Sequence, residues 1–305
     1  MPLLGAGLGW LTLLLLPLLA FPSLPRLTAL LVWLGGATAL SLLAWGIGTG
    51  VTVPGAERRE DANLIATRGA APVRRWIVAH LDTKAQGHSM AGRLIAIWVL
   101  VLAALVMSGA VVWRAVSGPI PGMLLATLGG LSVAVGAMAS RGRLRGLSPG
   151  ASDNTSGVVA VLLAAESGLD AQTGILLTGA EEFGMVGARA FAVEYGELAG
   201  TEIINLDTLT DEGALYVVAH DAAGLSFART LVPALAGIAP RLVVRHLPLG
   251  ILTDSLPLAL AGARAVTLSR LDWGVLRRLH TTRDAVAALS PQTIEAVGRW
   301  LTVLR

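Results

Sequence analysis

Charge is what this chain has least of. Only 14% of its 305 residues are Asp, Glu, Lys or Arg, against roughly 25% in an ordinary soluble domain. With 54% hydrophobic residues and a mean hydropathy of +0.70, the composition excludes a protein that is soluble throughout. Cysteine is absent, which excludes a disulfide framework; many exported proteins also lack cysteine, so the compartment stays open. Lysine is nearly absent too: Lys84 is the only one, and the net charge of +3 comes almost wholly from arginine. Those arginines are scattered and form no block, which speaks against a nucleic-acid tract and for a surface beside a membrane.

What is there in quantity is apolar and unevenly spread. Leu3 to Ala20, Leu27 to Ile47, Leu94 to Trp113 and Ile120 to Ala139 are almost free of charge, and each approaches the ~20 residues a helix needs to cross a bilayer. The first is the shortest and carries Pro17. Four buried core helices would be the ordinary alternative, but such helices rarely lack a polar face. Trp98 and Trp113 read as interfacial or packing residues of the third span. A cleaved secretory signal is disfavoured for the first span, since Met1-Pro2-Leu3 offers no basic side chain and Phe21-Pro22-Ser23 is a poor cleavage site.

Four crossings divide the chain into two spans over 1–47, a polar piece over 48–92, two inserted spans over 93–140 and a polar remainder over 141–305. Both polar pieces then share one side of the bilayer. Arg93, Arg141, Arg143 and Arg145 flank the inserted pair on that side, while Arg26 and Arg114 lie on the other. The positive-inside tendency puts the polar part in the cytosol.

The polar part alternates strand and helix patterns. Short strands are expected at Asn63 to Thr67, Trp76 to Ala79, Gly174 to Thr178, Thr201 to Leu206, Ala214 to Ala219, Arg241 to His246 and Arg264 to Ser269. Helices are expected at Val158 to Glu166, Val186 to Tyr195, Leu225 to Leu235, Leu256 to Ala261 and Pro291 to Leu304. The order implies an α/β fold, a mainly parallel sheet with helices on both faces.

Within it, His80, Asp82, Asp153, Glu181, Glu182, Asp207 and His280 fall at or near expected strand ends, where open α/β sheets collect ligands. Two imidazoles with several carboxylates suit zinc, cobalt or manganese. One bridging carboxylate can serve two ions, and a carboxylate outside the ligand set must then move the proton of an attacking water. Asp82, two residues beyond His80, is placed to hold the second N–H of the imidazole. Each residue also has a plain reading: His80 and His280 as polar loop residues, Asp153 as a helix N-cap, Asp207 as a turn residue. His88, His220 and His246 belong to no motif and read as structural.

Taken together, His80-x-Asp82, Gly150-Ala151-x-Asp153-Asn154-x-Ser156-Gly157, Glu181-Glu182-x-Gly184, Asn205-Leu206-Asp207 and His280-Thr281-x-x-Asp284 resemble the motifs of metallopeptidase family 28. That family holds the di-zinc aminopeptidases, relatives of glutamate carboxypeptidase II and glutaminyl cyclase. Asn63-Leu64-Ile65-Ala66 and Ala261-Gly262-Ala263 resemble its early strand and the entry to a late one. The resemblance implies the zinc aminopeptidase fold over residues 60–305, outside the apolar insertion. It implies two divalent metal ions, zinc foremost: His80 and Asp207 on one, Glu182 and His280 on the other, Asp153 bridging and Glu181 as general base. Asp82 would stand behind His80, Asp284 would support the His280 loop, and the Asp153–Asn154 peptide would be cis.

Two departures stand out. The family joins its His-x-Asp strand to the bridging Asp by a short loop, whereas two apolar spans intervene here. Thr253-Asp254-Ser255 resembles the family's Ser/Thr-Asp-x pattern but lacks the usual His, so no specificity residue can be assigned. The expectation is a membrane-anchored zinc aminopeptidase acting on peptides, some of them membrane-associated. The alternatives are a single-zinc, glutaminyl cyclase-like acyl transferase and a non-catalytic membrane scaffold on the same fold.

Overall fold

A computed structural model describes residues 2–48, 60–69, 71–140, 144, 146–196, 198–248 and 250–304. The chain forms two compact units, Met1–Ala56 with Gln86–Arg145, and Glu57–Ala85 with Gly146–Arg305. The boundaries thus fall at 56/57, 85/86 and 145/146, beside expected breaks at 47/48, 92/93 and 140/141. Arg141, Arg143 and Arg145, on which the expected sidedness leans, lie outside the described residues.

The first unit is four helices over the four apolar segments: α1 (Pro2–Ala20), α2 (Thr28–Gly48), α3 (Met90–Ser117) and α4 (Gly122–Ser140). α3 starts earlier than hydropathy alone suggests because the Ser89 hydroxyl caps it, accepting from the Gly92 amide at 3.3 Å. Leu11, Leu15, Leu19, Trp33, Met107, Leu128 and Val135 pack together in its interior. Gly36 sits against Leu11 so closely that a Cβ there would come within 2.5 Å of the leucine methyls, the small-residue contact on which apolar helices associate. Arg114 is buried and spends its guanidinium on the carbonyls of Leu18 at 3.2 Å, Phe21 at 3.1 Å and Leu24 at 2.7 Å. It closes the C-terminal end of α1, where helix carbonyls lack partners.

The expectation of four spans is corrected here. Two helical stretches are long and apolar enough to cross a bilayer, Thr28–Gly46 and Met90–Ser117, with mean hydropathies of 1.6 and 2.7. The stretches in α1 and α4, Leu4–Ala20 and Gly122–Met138, are shorter.

The second unit is one seven-stranded sheet. Its strands are β1 (Leu64–Ala66), β2 (Arg75–His80), β3 (Thr173–Thr178), β4 (Glu202–Leu209), β5 (Ala214–Ala219), β6 (Leu242–His246) and β7 (Arg264–Leu271). They lie in the order β1-β3-β2-β4-β7-β5-β6. The β2–β3, β2–β4, β4–β7 and β5–β6 pairings are parallel, while β1–β3 and β5–β7 are antiparallel. The sheet is therefore mixed and mainly parallel.

Side chains alternate across it with the period of a strand. Ile77, Ala79, Ile204, Leu206 and Val266 face α5 (Ser156–Ser167), α7 (Ala222–Leu235) and α10 (Gln292–Val303). Trp76, Val78, Ile203 and Ala265 face α6 (Val186–Tyr195) and α8 (Ser255–Leu260). A one-turn helix, α9 (Trp273–Leu276), was not expected; the Asp272 carboxylate starts it by accepting from the Val275 amide at 2.9 Å. Because β2, β3 and β4 run parallel, their carboxyl ends share one edge: His80 pairs with Thr178, and Val78 with Asn205.

Candidate metal centre

His80 ends β2 and is buried. Its Nδ1 donates to the main-chain carbonyl of Asp82 at 3.0 Å, and the Asp82 carboxylate stands farther off at 3.6 Å. The tautomer is thus fixed by backbone, and Nε2 is left to face Asp153 Oδ1 at 3.1 Å. The expected hold by the Asp82 carboxylate is corrected: that carboxylate accepts from the amides of Glu181 at 2.9 Å and Glu182 at 3.0 Å. Two backbone donors engage its oxygens, so it orients the Glu pair.

Asp153 lies in a tight turn before α5, and its peptide bond to Asn154 is cis. The N-cap reading goes to its neighbour: Asn154 Oδ1 accepts from the Gly157 amide, and also from Thr208, both at 3.2 Å. Asn154 Nδ2 donates to the Leu206 carbonyl at 2.8 Å. One side chain therefore ties the start of α5 to the part of β4 that carries Asp207. Gly157 is required there, because a Cβ would meet Asn154 Oδ1 at 2.5 Å and the Leu206 carbonyl at 2.8 Å. Asp207 lies inside β4, which runs on to Leu209, and is not the strand-end residue expected. Asp284 also differs from expectation: its buried carboxylate accepts from the amides of Ser152 at 2.8 Å and Asp153 at 3.1 Å. It holds the Asp153 turn to the loop of His280.

Glu181 and Glu182 form a single 3-10 turn after β3. Ala180 before them, Thr208 after Asp207, and His280 itself have φ of 52°, 62° and 63°. Left-handed backbone at non-glycine residues is uncommon and clusters where a fold over-determines a site. His280 Nε2 faces Asp153 Oδ2 at 3.2 Å and Glu182 Oε1 at 3.1 Å.

The result is two sets of donors sharing Asp153: His80, Asp153 and Asp207, and Asp153, Glu182 and His280, each with its ligand atoms within 4.8 Å of one another. Both ring nitrogens of His280 and Oε1 of Glu182 are buried without a hydrogen-bond partner among the described residues. Lone pairs this close repel unless a positive charge lies between them, and buried polar atoms are normally satisfied. Imidazole nitrogens with carboxylate oxygens are a donor set that zinc accepts, so the residues fit a metal centre. All seven residues singled out from the sequence thus meet at one sheet edge.

The family model described as Peptidase family M28 matches residues 132–304, more than half of the chain. The chain belongs to peptidase family M28. His80 and Asp82 precede the matched range and reach the M28 site across the inserted helices. A comparison with curated proteins finds no match. Among solved structures, the chain is similar to BSAP, a zinc aminopeptidase from Bacillus subtilis, at 17% identity and a TM-score of 0.48, over 79% of this chain and 47% of that one. It is similar to the LapA aminopeptidase of Legionella pneumophila at 15% identity and a TM-score of 0.47, over 77% and 52%. It is similar to a Tannerella forsythia glutaminyl cyclase at 12% and 0.42, over 78% and 75%. The chain spans about half the length of the two aminopeptidases.

Electrostatics in the M28 site follow from crowding carboxylates around two imidazoles. Burial raises the Glu181 carboxyl well above its ordinary range; His80 opposes the rise, and Asp254, Glu182 and Asp207 add to it. Burial and the charge of Asp153 push Asp207 up to about 7. Burial disfavours charge on His280, but Asp153 and Glu182 outweigh it and raise the imidazole to about 9. Asp153 is driven the other way: burial opposes its charge, yet His280 and His80 hold it far below the usual carboxylate range.

Two functional neighbours were missed in the sequence reading. Lys84, two residues past Asp82, is buried and pairs with the Glu182 carboxylate. Asp254 is fully buried; burial lifts it to about 6, and the Thr178 hydroxyl, which donates to it, holds the rise back. Its motif, Thr253-Asp254-Ser255, was noticed but lacked its expected His. His220, read as structural, hydrogen-bonds Ser255 Oγ at 3.1 Å from outside that motif. Lys84 carried one available signal, as the only lysine in the chain.

Proposed function

We propose that this chain is a membrane-anchored, zinc-dependent peptidase, an aminopeptidase, in which Glu181 is the general base. The observation that carries the reading is the pair of complete donor sets around a shared Asp153. His80 and Asp207 would hold one ion and Glu182 and His280 the other, with Asp153 between them. Bound there, two zinc ions would supply Lewis acidity toward the peptide carbonyl and make an attacking water more acidic.

The chain's own residues do the rest. Asp82, through two amide hydrogen bonds, fixes the turn so that adjacent glutamates serve different roles. Glu181, with its proton affinity raised by burial and neighbouring carboxylates, takes a proton as the water oxygen bonds to the carbonyl carbon. It gives that proton to the amide nitrogen as the C–N bond breaks, so the products are a carboxylic acid and an amine. Glu181→Gln should retain zinc and lose hydrolysis of aminoacyl-p-nitroanilides by ~10²–10⁴-fold; cleavage at the parent rate would end the assignment. Both donor sets being complete favours hydrolysis with two ions over a single-zinc acyl transfer, and over a scaffold that has shed its ligands.

Membrane attachment belongs to the same proposal. Leu31, Leu34, Leu42 and Trp45 on α2, and Trp98, Leu105, Val112 and Val116 on α3, are large and exposed, which suits lipid better than water. β2 and β3 are adjacent in one sheet, so the chain between them must cross a bilayer an even number of times. α3 therefore crosses together with the shorter α4. The arginines flanking that pair favour the cytosolic side for the sheet.

A further inference from the structure

Lys84 is the only lysine in the chain, and it is buried. Lysine is almost never buried unless it is paired, and this one has a single residue as its partner. Its ammonium donates to Glu182 Oε2 and to the main-chain carbonyl of Glu182, the latter at 3.2 Å. The other carboxylate oxygen of Glu182, Oε1, is the one that faces His280 Nε2 at 3.1 Å. Two residues earlier, Asp82 takes the Glu182 amide. The segment after β2 thus grips Glu182 by its amide, its carbonyl and one carboxylate oxygen.

We propose that Lys84 is a positioning residue for the ion held by Asp153, Glu182 and His280: it dictates that Glu182 offers Oε1 alone, and its charge loosens the hold on that ion. The inference rests on the metallopeptidase reading above. A neutral donor on Oε2 would orient the carboxylate equally well. An ammonium does more, since it offsets the negative charge of Glu182 and sets a like charge beside a dication in a buried site. In such surroundings like charges repel far more than in water. Position and charge can therefore be separated by substitution. The His80, Asp153 and Asp207 set has no such cation on its side chains among the described contacts.

The test is zinc binding to the purified full chain by calorimetry against a competing chelator, with no reliance on turnover. Lys84→Met, similar in length and uncharged, should tighten one of two ions by ~10-fold or more. In a His280→Ala background, which leaves the other donor set, the same substitution should change affinity by less than about twofold, as for uncoupled sites. Lys84→Arg, which keeps the charge, should not give the tightening. If Lys84→Met does not fold by circular dichroism, Lys84→Gln is read in the same way. A parent that takes up two ions and a Lys84→Met isotherm that overlays it, or shows weaker binding, would overturn this proposal alone. A parent that takes up no zinc would overturn the metallopeptidase reading as well.

Discussion

Asp82 and Glu181 lie 99 residues apart in sequence, and the carboxylate of the first accepts the amide of the second at 2.9 Å. The next amide, that of Glu182, reaches the other oxygen at 3.0 Å. A carboxylate holding two successive amides is charge-assisted at both ends, and it fixes the turn that separates the proton-handling glutamate from the ligand. Asp82→Ala is expected to lower kcat/KM by ~10–100-fold, as loss of an outer partner does at metal sites. Asp82→Asn, with one acceptor oxygen, should fall between the two. Steady-state kinetics of the three proteins checks the order.

Asp284 is a stability as much as a site residue. Its buried carboxylate satisfies the Ser152 and Asp153 amides, and removing it strands both donors. Since hydrogen bonds to charged groups contribute roughly 1.5–3 kcal/mol, Asp284→Ala should cost about 2–4 kcal/mol in total and lower the zinc content on dialysis. Denaturant unfolding in detergent, with metal analysis of the same samples, reads both effects. An unchanged midpoint would show that the turn stands without it.

Zinc uptake should depend on pH with a defined sign. In the metal-free protein His280 titrates at about 9 and Asp207 at about 7, so at neutral pH the imidazole holds a proton that zinc must displace. Affinity should therefore rise from pH 6 to 9, steeply at first and less so as His280 empties. Calorimetry in two buffers of different ionisation enthalpy should report net proton release at pH 7; none would contradict the protonation assigned to His280.

The absence of cysteine makes topology easy to read. Ser23, between α1 and α2, and Ser117, at the end of α3, are exposed, as is Ser167 at the end of α5. With the sheet on the cytosolic side, Ser23→Cys and Ser117→Cys should react with a membrane-impermeant maleimide in intact cells. Ser167→Cys should react only after permeabilisation. Labelling of all three in intact cells would place the sheet outside, and labelling of none would remove α1–α4 from the bilayer.

Much of this was legible before any coordinates because the fold announces itself in short apolar runs and the chemistry in rare residues. Trp76 to Ala79 and Ala214 to Ala219 read as strands from composition alone, and His80, Asp153, Glu182, Asp207 and His280 stood out as imidazoles and carboxylates at strand ends. Which oxygen does what was not legible. Asp82 serves backbone amides because the turn at Ala180 folds back onto it, a tertiary fact with no local pattern. The helix-capping role passed from Asp153 to Asn154 because the cis peptide turns the chain between them. Asp284 reaches across 131 residues to Asp153, a distance at which spacing says nothing. Hydropathy found all four apolar helices, yet it could not separate the two of full spanning length from α1 and α4.

The claim on which the account stands is that one sheet edge holds a pair of divalent ions around Asp153. The most direct measurement is the zinc content of the purified full chain after reconstitution and removal of excess metal, in the parent and in Asp153→Ala. The account predicts two zinc ions per chain in the parent and loss of both from a tightly held state in the variant. One ion per chain, or a content that Asp153→Ala leaves unchanged, would contradict it.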